Sequence, residues 1–228
     1  MQKIIIGVFA HPDDEAFGVS PTLIKEVAEG AEVHLVTLTS GQHGANPDSH
    51  SDLGALRLNE WRRGGELIGV RSFHHLEYVD GTLCNECVHP IVDRLSKLVI
   101  SLIEGSSDTP VEFMSFDFGG ISGHIDHIVA ARAAALCFYR LKETYSTRIS
   151  RLRLRCLPHA DMPTHNTDWL YMDAGKTESE INEVIDATAY HDDIIKVIRA
   201  HHSQRSDGEA HITNYGSKLG MNYFIVKT

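Results

Sequence analysis

Four chemically active side chains lie together near the start of the chain, in the segment Ala10-His11-Pro12-Asp13-Asp14-Glu15. They follow the apolar run from Ile4 to Phe9, which is typical of a strand buried on both faces. A fold tolerates a histidine and three carboxylates at the end of a buried strand only where something compensates their charge. A metal ion is the natural candidate. Without the histidine, carboxylates in front of a helix would be interpreted as caps.

A second cluster, Gly123-His124-Ile125-Asp126-His127, comes shortly after another apolar run at residues 111–116. In an open parallel sheet all strands point the same way, and ligands bind outside their carboxyl ends. The two clusters are therefore expected to meet, although a long stretch of sequence separates them. An isolated pair of histidines on a first helical turn would instead be a surface feature.

The ligands of a metal ion can be chosen from these two clusters. A catalytic zinc takes about three protein ligands from His, Asp, Glu or Cys and keeps one position open for water. His11 and Asp14 are three residues apart, which brings both side chains to one side of a turn or first helical turn. His127 can supply the third ligand, with His124 as the less favoured alternative.

The remaining polar residues of the clusters suit supporting roles. An unligated carboxylate beside the metal suits a general base, and Asp13 is our choice. Glu15 would point back into the helix start, where a carboxylate complements the helix dipole. His124 could donate a hydrogen bond to an oxyanion on a substrate carbonyl, in the form of an imidazolium. Asp126 could then orient His124 from behind.

The rest of the chain alternates strand and helix patterns, which predicts a Rossmann-like α/β fold. We expect a three-layer sandwich with a mostly parallel sheet, helices on both faces, and the active site at the C-terminal ends of the strands. Strands are predicted at 3–10, 31–38, 72–78, 111–116, 151–157, 168–172 and 221–226. Helices are predicted at 20–30, 52–69, 90–104, 128–141 and 192–202. Residues 209–220 are predicted to be a loop, and 1–228 to form a single domain.

Composition excludes several classes of partner. The formal net charge of −10 argues against nucleic acid and against anionic membranes. No apolar stretch is long enough to span a bilayer, and Met1-Gln2-Lys3 leads into a strand with no cleavage site. Four cysteines are too few for a disulfide scaffold and fit a reducing compartment. We therefore predict a cytoplasmic protein.

Two of the cysteines form a C-x-x-C motif, Cys84-Asn85-Glu86-Cys87. The motif could be half of a structural zinc site with His89, or a redox pair. Because no second pair accompanies it, two ordinary thiols are the favoured interpretation.

The two histidine and aspartate clusters together resemble the PIG-L/LmbE-like zinc deacetylase family, which removes the acetyl group from N-acetylglucosamine units and related amides. Shorter matches run along the chain at Thr37–Gly41, Arg57–Glu60, Asp80–Gly81 and His201–Gln204. Ile125 stands where the family usually has proline, and Ser20-Pro21 replaces the usual pair of glycines. Neither departure removes a predicted metal ligand. The second is expected to change the shape of the floor of the site.

The resemblance implies zinc on His11, Asp14 and His127, and it thereby selects His127 over His124 as the third ligand. It also implies Asp13 as the general base.

Further roles come from the same resemblance. It implies His124 as the group that stabilises the tetrahedral intermediate, with Asp126 behind it, and Arg57 as a contact for substrate hydroxyls. From the sequence alone, Arg57 would form a solvated pair with Glu60 on the helix surface. His201 is predicted to face the site and bind substrate, with a surface position as the alternative.

The predicted function is zinc-dependent removal of an N-acetyl group from an N-acetylglucosamine-type amino sugar or conjugate. The expected partner is thus a small acetylated sugar, and a homo-oligomer is possible. Two alternatives stay open: a metal-dependent hydrolase of another class, such as a phosphoesterase, and a non-catalytic sugar-binding relative. A phosphoesterase would need a second metal ion.

Overall fold

The computed structural model describes residues 2–106, 108–162 and 174–228. These residues contain seven strands: β1 (Ile4–Phe9), β2 (Glu32–Thr39), β3 (Ser72–Tyr78), β4 (Val111–Phe116), β5 (Ile149–Cys156), β6 (Glu183–Asp186) and β7 (Met221–Lys227). They also contain eight α-helices: α1 (Asp14–Gly18), α2 (Ser20–Ala28), α3 (Leu53–Ile68), α4 (Val88–Glu104), α5 (Gly120–Gly123), α6 (Ile125–Thr144), α7 (His191–Ala200) and α8 (Arg205–Tyr215).

The seven strands form one sheet in the order β3-β2-β1-β4-β5-β7-β6. Neighbours from β3 through β5 pair in parallel, whereas β7 is antiparallel to both β5 and β6. Because β1 and β4 are adjacent and parallel, the loops that follow them leave the sheet at the same edge. The fold therefore brings the two polar clusters of the sequence together.

Helices cover both faces of the sheet, as predicted. Ile4, Ile6 and Val8 of β1 pack in a core with α4 and α6. Ile5 and Phe9 of the same strand pack in a second core with α2, α3 and α7. This alternation follows from the two-residue period of a strand, and it confirms the predicted three-layer α/β architecture.

Helix α3 matches its predicted bounds closely, whereas α6 extends three residues beyond the predicted 128–141 at each end. The side chain of Asp52 accepts a hydrogen bond from the Ala55 amide at 2.9 Å and so starts α3. Gly69 ends α3 in the left-handed conformation, at φ 94°. The predicted helix at 52–69 thus included both capping residues.

Three predictions in the second half of the chain need comment. The loop predicted at 209–220 is wrong, since α8 runs through Tyr215. Gly208 is the one buried residue of α8, so the helix has no apolar stripe for a sequence pattern to show. The short strand β6 was missed, and the strand predicted at 168–172 lies outside the described residues.

Candidate metal centre and active site

The first cluster lies in the turn between β1 and α1. The Asp14 carboxylate folds back on this turn, where its Oδ2 accepts hydrogen bonds from the amides of Ala10 (3.0 Å) and His11 (2.9 Å). These bonds fix the orientation of the carboxylate. Its other oxygen, Oδ1, lies 3.2 Å from Nε2 of His127. Burial would raise the pKa of Asp14, but the neighbouring His127 ring lowers it well below its usual range, so the group is a carboxylate.

The three residues that the sequence predicts as metal ligands lie next to one another here, and His124, the alternative third ligand, also brings a ligand atom close to those of His11 and His127. Nδ1 of His11 is 3.1 Å from Nε2 of His127 and 3.8 Å from Oδ2 of Asp14. His11 and Asp14 come from the loop after β1, and His127 comes from the first turn of α6.

The outer ring nitrogens determine where the protons of both histidines lie. Nδ1 of His127 lies 3.1 Å from the Gly120 carbonyl, which can only accept. Nε2 of His11 lies 3.0 Å from Asp80 and 3.3 Å from Asp126, both carboxylates. In the neutral rings, therefore, the lone pairs of His11 Nδ1 and His127 Nε2 point at one another beside a carboxylate.

A positive charge between these three groups would satisfy them, and a metal ion would supply it. Burial lowers the pKa of His11, but hydrogen bonds to Asp126 and Asp80 outweigh burial and raise it to about 10, so the surroundings favour positive charge. Two imidazoles and one carboxylate, with both outer imidazole nitrogens hydrogen-bonded, form a donor set that suits a divalent transition metal. The residues present therefore fit a metal ion, and His11, Asp14 and His127 would hold it.

Asp126 connects His11 to the loop after β3. Its carboxylate contacts His11, and it accepts hydrogen bonds from the amides of Gly81 (2.8 Å) and Leu83 (3.2 Å). The described contacts place this carboxylate behind His11, and its role behind His124 stays a prediction. Asp126 lies on the first turn of α6, and its side chain is directed toward the loop after β3, not back along its own helix.

Asp80 is a site residue that the sequence argument missed. Asp80 is buried, and its Oδ2 accepts a hydrogen bond from the His43 amide at 3.0 Å. Burial would raise the pKa of Asp80, but the hydrogen bond from His11 outweighs burial and lowers the pKa to about 2. The available signal was its place directly after β3, at the same sheet edge as the two clusters.

His124 lies against both candidate metal-ligand histidines, with its ring centroid 5.0 Å from that of His11 and 5.0 Å from that of His127. It is the N-cap of α6, and its Nδ1 accepts the Asp126 amide at 3.2 Å. A neutral ring therefore carries its proton on Nε2. Burial, followed by the charges of His127 and His11, lowers the pKa of His124, which favours a neutral imidazole over the expected imidazolium.

Asp13 adopts a backbone conformation that side-chain-bearing residues rarely take, with φ 111°. Its amide donates to Oε2 of Glu15 at 3.2 Å, and its Oδ2 accepts from Arg57 Nη2 at 2.8 Å. Burial raises the pKa of Asp13 to about 6, against the lowering effect of Arg57. Asp13 is thus a positioned carboxylate whose pKa is close to neutrality.

Arg57 and Glu60 are both buried, which corrects the solvated pair expected from the sequence. Arg57 donates to Asp13, to the Pro12 carbonyl (2.8 Å) and to the Gly41 carbonyl (2.7 Å). Its described contacts therefore join three protein groups and hold Asp13, where a substrate contact had been expected.

His201 is also buried, with 1% of its surface exposed, and its Nε2 lies 3.1 Å from Oε1 of Glu15. Neither a surface position nor direct substrate contact agrees with that burial. Although burial lowers it, the Glu15 carboxylate raises the pKa of His201 overall. Glu15 itself is fully buried and joins His201 to the Asp13 amide, so it does more than complement a helix dipole.

A cleft of about 790 Å³ opens beside Asp14 and His127. Apolar residues near the ligands include Phe17, Phe116 and Ile121. The rest of the lining is mixed: it includes Leu157 and Met162 together with the polar residues Arg155, His211, Asn214, Tyr215 and Lys218. A cleft of this volume is large enough for a small organic ligand.

The fold and the site together define an α/β protein with a candidate metal centre at the C-terminal edge of a parallel sheet. The family model for "GlcNAc-PI de-N-acetylase" (PIG-L) matches residues 6–138, more than half of the chain. The chain belongs to this family.

Two curated relatives share the name 1D-myo-inositol 2-acetamido-2-deoxy-alpha-D-glucopyranoside deacetylase. The protein from Nocardiopsis dassonvillei is 35% identical over 60% of this chain and 55% of its own length. The protein from Mycolicibacterium vanbaalenii is 25% identical over 89% of this chain and 81% of its own. The chain thus spans about half of one relative and about four fifths of the other.

A solved structure supports the fold. The N,N'-diacetylchitobiose deacetylase from Pyrococcus horikoshii, in complex with an inhibitor, superimposes with a TM-score of 0.65. It is 21% identical, and the match covers 99% of this chain and 82% of that one.

Proposed function

We propose that this protein is a zinc-dependent deacetylase that hydrolyses the N-acetyl group of an N-acetylglucosamine-type sugar or conjugate. The observation that carries the proposal is the convergence of His11, Asp14 and His127 next to the held carboxylate of Asp13. The names of the family and of its curated relatives support the substrate class.

His11, Asp14 and His127 would hold the zinc ion, since two imidazoles and a carboxylate are a common catalytic zinc set. Bound zinc would activate water and polarise the amide carbonyl. Asp80 and Asp126 would hold the His11 ring in place from behind by accepting its Nε2 proton.

Asp13 is proposed as the general base. It would accept the proton of the attacking water on its carboxylate and later release it to the departing amine. Arg57 holds that carboxylate, while Glu15 accepts a hydrogen bond from the Asp13 amide and is itself contacted by His201. Arg57 and His201 are therefore proposed as positioning residues.

His124 is proposed to stabilise the oxyanion of the tetrahedral intermediate. Its Nδ1 accepts a hydrogen bond from the Asp126 amide, so a neutral ring carries its proton on Nε2, which is the donor atom in this proposal. Because burial lowers the pKa of His124, it would donate as a neutral ring.

A two-metal phosphoesterase is the second candidate, and one observation bears on it. His11, Asp80 and Asp126 also bring ligand atoms within the distance that a cation requires. However, the two carboxylates already accept hydrogen bonds from His11 and from the amides of His43, Gly81 and Leu83. Because these N–H donors already compensate the negative charge of Asp80 and Asp126, we assign no second metal ion to the two carboxylates.

The test is a panel assay with the zinc-loaded protein. Free amine and acetate are measured after incubation with N-acetylated amino sugars, both free and glycosidically linked, and with phosphomonoesters in parallel. We expect amine and acetate in equal amounts from at least one sugar and no phosphate. Phosphate release without amine would favour the phosphoesterase, and binding without turnover would favour the non-catalytic relative.

Three further features remain predictions from the sequence: a single domain, a possible homo-oligomer and a cytoplasmic location. Each helix in the described parts of the chain is too short or too polar to cross a membrane.

A further inference from the structure

The C-x-x-C motif has no part in the proposed reaction. Sγ of Cys84 lies 3.6 Å from Sγ of Cys87, with Cys84 exposed and Cys87 half-buried. Cys137 and Cys156 are buried. The motif therefore places two neighbouring thiols where a small molecule can reach them.

A half zinc site with His89 does not agree with the geometry. Nδ1 of His89 faces Nη2 of Arg140 at 2.9 Å. Among the described residues, the groups of side chains that could hold a metal ion do not include Cys84 or Cys87.

The backbone already holds the two cysteines in a closed turn. The Cys87 amide donates to the Cys84 carbonyl at 3.0 Å, and Cys87 is the N-cap of the long helix α4. A disulfide needs the sulfur atoms about 2 Å apart, so closure requires a shift of about 1.5 Å. The turn thus holds the two thiols close to one another, and a shift of the turn or a rotation of the side chains has to supply the remaining approach.

The loop after β3, which carries both cysteines, also contacts groups that orient the metal ligand His11. Asp80 contacts Nε2 of His11 at 3.0 Å. The amides of Gly81 and Leu83 hold the Asp126 carboxylate, which also contacts His11. Leu83 is the residue directly before Cys84, so a movement of the cysteine turn is transmitted to the groups that orient a metal ligand.

We propose that Cys84 and Cys87 form a reversible thiol–disulfide site that takes a low-molecular-weight disulfide, and that closing it weakens metal binding at His11, Asp14 and His127. The effect on the metal rests on the proposed function only in assuming that this centre holds zinc.

The exchange proceeds in two steps. The exposed Cys84 thiolate attacks one sulfur of the small disulfide, forming a mixed disulfide and releasing the first small thiol. The Cys87 thiolate then attacks the Cys84 sulfur, which closes the protein disulfide and releases the second small thiol. Two electrons pass from the protein to the small disulfide, and the two protein thiol protons end on the two released thiols.

The test uses the zinc-loaded protein, oxidised glutathione as the probe, and two readouts besides activity. Thiols are counted by alkylation and intact mass, and zinc release to a chromogenic chelator is followed over time. We expect two alkylatable thiols to be lost and zinc release to become about tenfold faster, as for loss of a group that orients a ligand. A dithiol reductant should reverse both changes.

The matched control is the double variant Cys84→Ser, Cys87→Ser, which should bind zinc as the reduced protein does and should not respond to oxidised glutathione. Three outcomes would overturn the proposal: an unchanged thiol count, a disulfide with unchanged zinc release, or an equal response of the double variant. Absence of deacetylase activity would leave both readouts intact, so the two proposals fail separately.

Discussion

Asp13 is the residue in which structure and proposed chemistry are most closely joined. Its backbone lies at φ 111°, its carboxylate is bound by Arg57, and its amide is bound by Glu15. Strained backbone persists only where the surroundings enforce it, and such residues cluster at functional sites. The contacts around Asp13 supply that enforcement.

Replacing Asp13 with asparagine should abolish most turnover but leave metal binding unchanged. The amide keeps the size and an oxygen for Arg57, but it cannot accept the proton of the attacking water. We expect kcat to fall about 10²- to 10⁴-fold, the usual contribution of a general base. Steady-state kinetics beside elemental analysis of the purified variant checks both parts, and near-normal kcat would remove Asp13 from the role.

The pH dependence of kcat/KM should show an acidic limb. Burial raises the pKa of Asp13 to about 6, and only the carboxylate form can act as a base. Activity should therefore be lost as the pH falls through about 6 and should be retained above it. A pH–rate profile of the zinc-loaded enzyme checks this; full activity at pH 5 would contradict it.

At this scale, residue types and spacing predicted His11 and Asp14 as metal-ligand candidates and left His127 and His124 as alternatives for the third, and the family resemblance selected His127. Residue types and spacing could not predict which histidine the Asp126 carboxylate contacts, because that depends on the direction of one side chain. The burial of His201 on Glu15 was equally hidden, since it joins residues from opposite ends of the chain.

At the scale of elements, the turn before α6 determines where His127 lies. Gly120 has φ 64°, and its carbonyl accepts from His127 Nδ1. A Cβ atom on Gly120 would lie 2.8 Å from Cβ of His127 and 3.0 Å from the amide nitrogen of Ile128. The absence of a side chain here allows the histidine to reach the site.

Gly120→Ala should weaken metal binding as well as the fold. The left-handed backbone costs alanine about 1–2 kcal/mol, and the close contacts must displace His127. We expect zinc affinity to fall about tenfold or more, measured by competition with a chelator. Gly30→Ala is the matched control, because Gly30 has φ 92° with no atom near its Cβ position. Equal zinc affinity in the two variants would contradict this account.

Helices whose apolar residues recur at helical spacing could be predicted from the sequence, and helices without that pattern could not. Helix α4 buries Ile91, Val92, Leu95 and Val99, so its pattern is clear in the sequence. In contrast, α8 packs through Gly208 close to Ile198 and Phe17. Contact through a glycine leaves no apolar signal, so this helix was mistaken for a loop.

At the scale of the whole molecule, a buried ion network lies at the opposite end of the sheet from the metal centre. Glu112 near the start of β4 contacts Arg153 at 3.0 Å, Arg151 at 3.1 Å and Lys3 at 3.6 Å. Arg153 also contacts Glu26 on α2 and Glu183 on β6. The network joins the parallel part of the sheet to its antiparallel edge.

Glu112→Ala should destabilise the fold without changing the site. Removing one partner of a buried ion pair leaves uncompensated charge and costs about 3–5 kcal/mol in the free energy of unfolding. Chemical denaturation measures the loss, and zinc content per folded chain should stay normal. Asp193→Ala removes an exposed pair with Lys196 and should cause no measurable change. Equal stability of both variants would show that the network contributes nothing.

The architecture itself was predictable, because alternating strand and helix patterns admit few arrangements of a parallel sheet. The order of β5, β7 and β6 was not, since β6 is a four-residue edge strand, Glu183–Asp186, whose residues do not alternate between apolar and polar.

The most direct test of the central claim is a metal titration of activity. Protein freed of metal by chelation is given increasing zinc, and amine release from a responsive N-acetylated sugar is measured at each step. One centre on His11, Asp14 and His127 predicts a linear rise that ends at one zinc per chain, with no rise for His127→Ala. A rise that continues to two zinc ions per chain, or full activity without metal, would contradict the account.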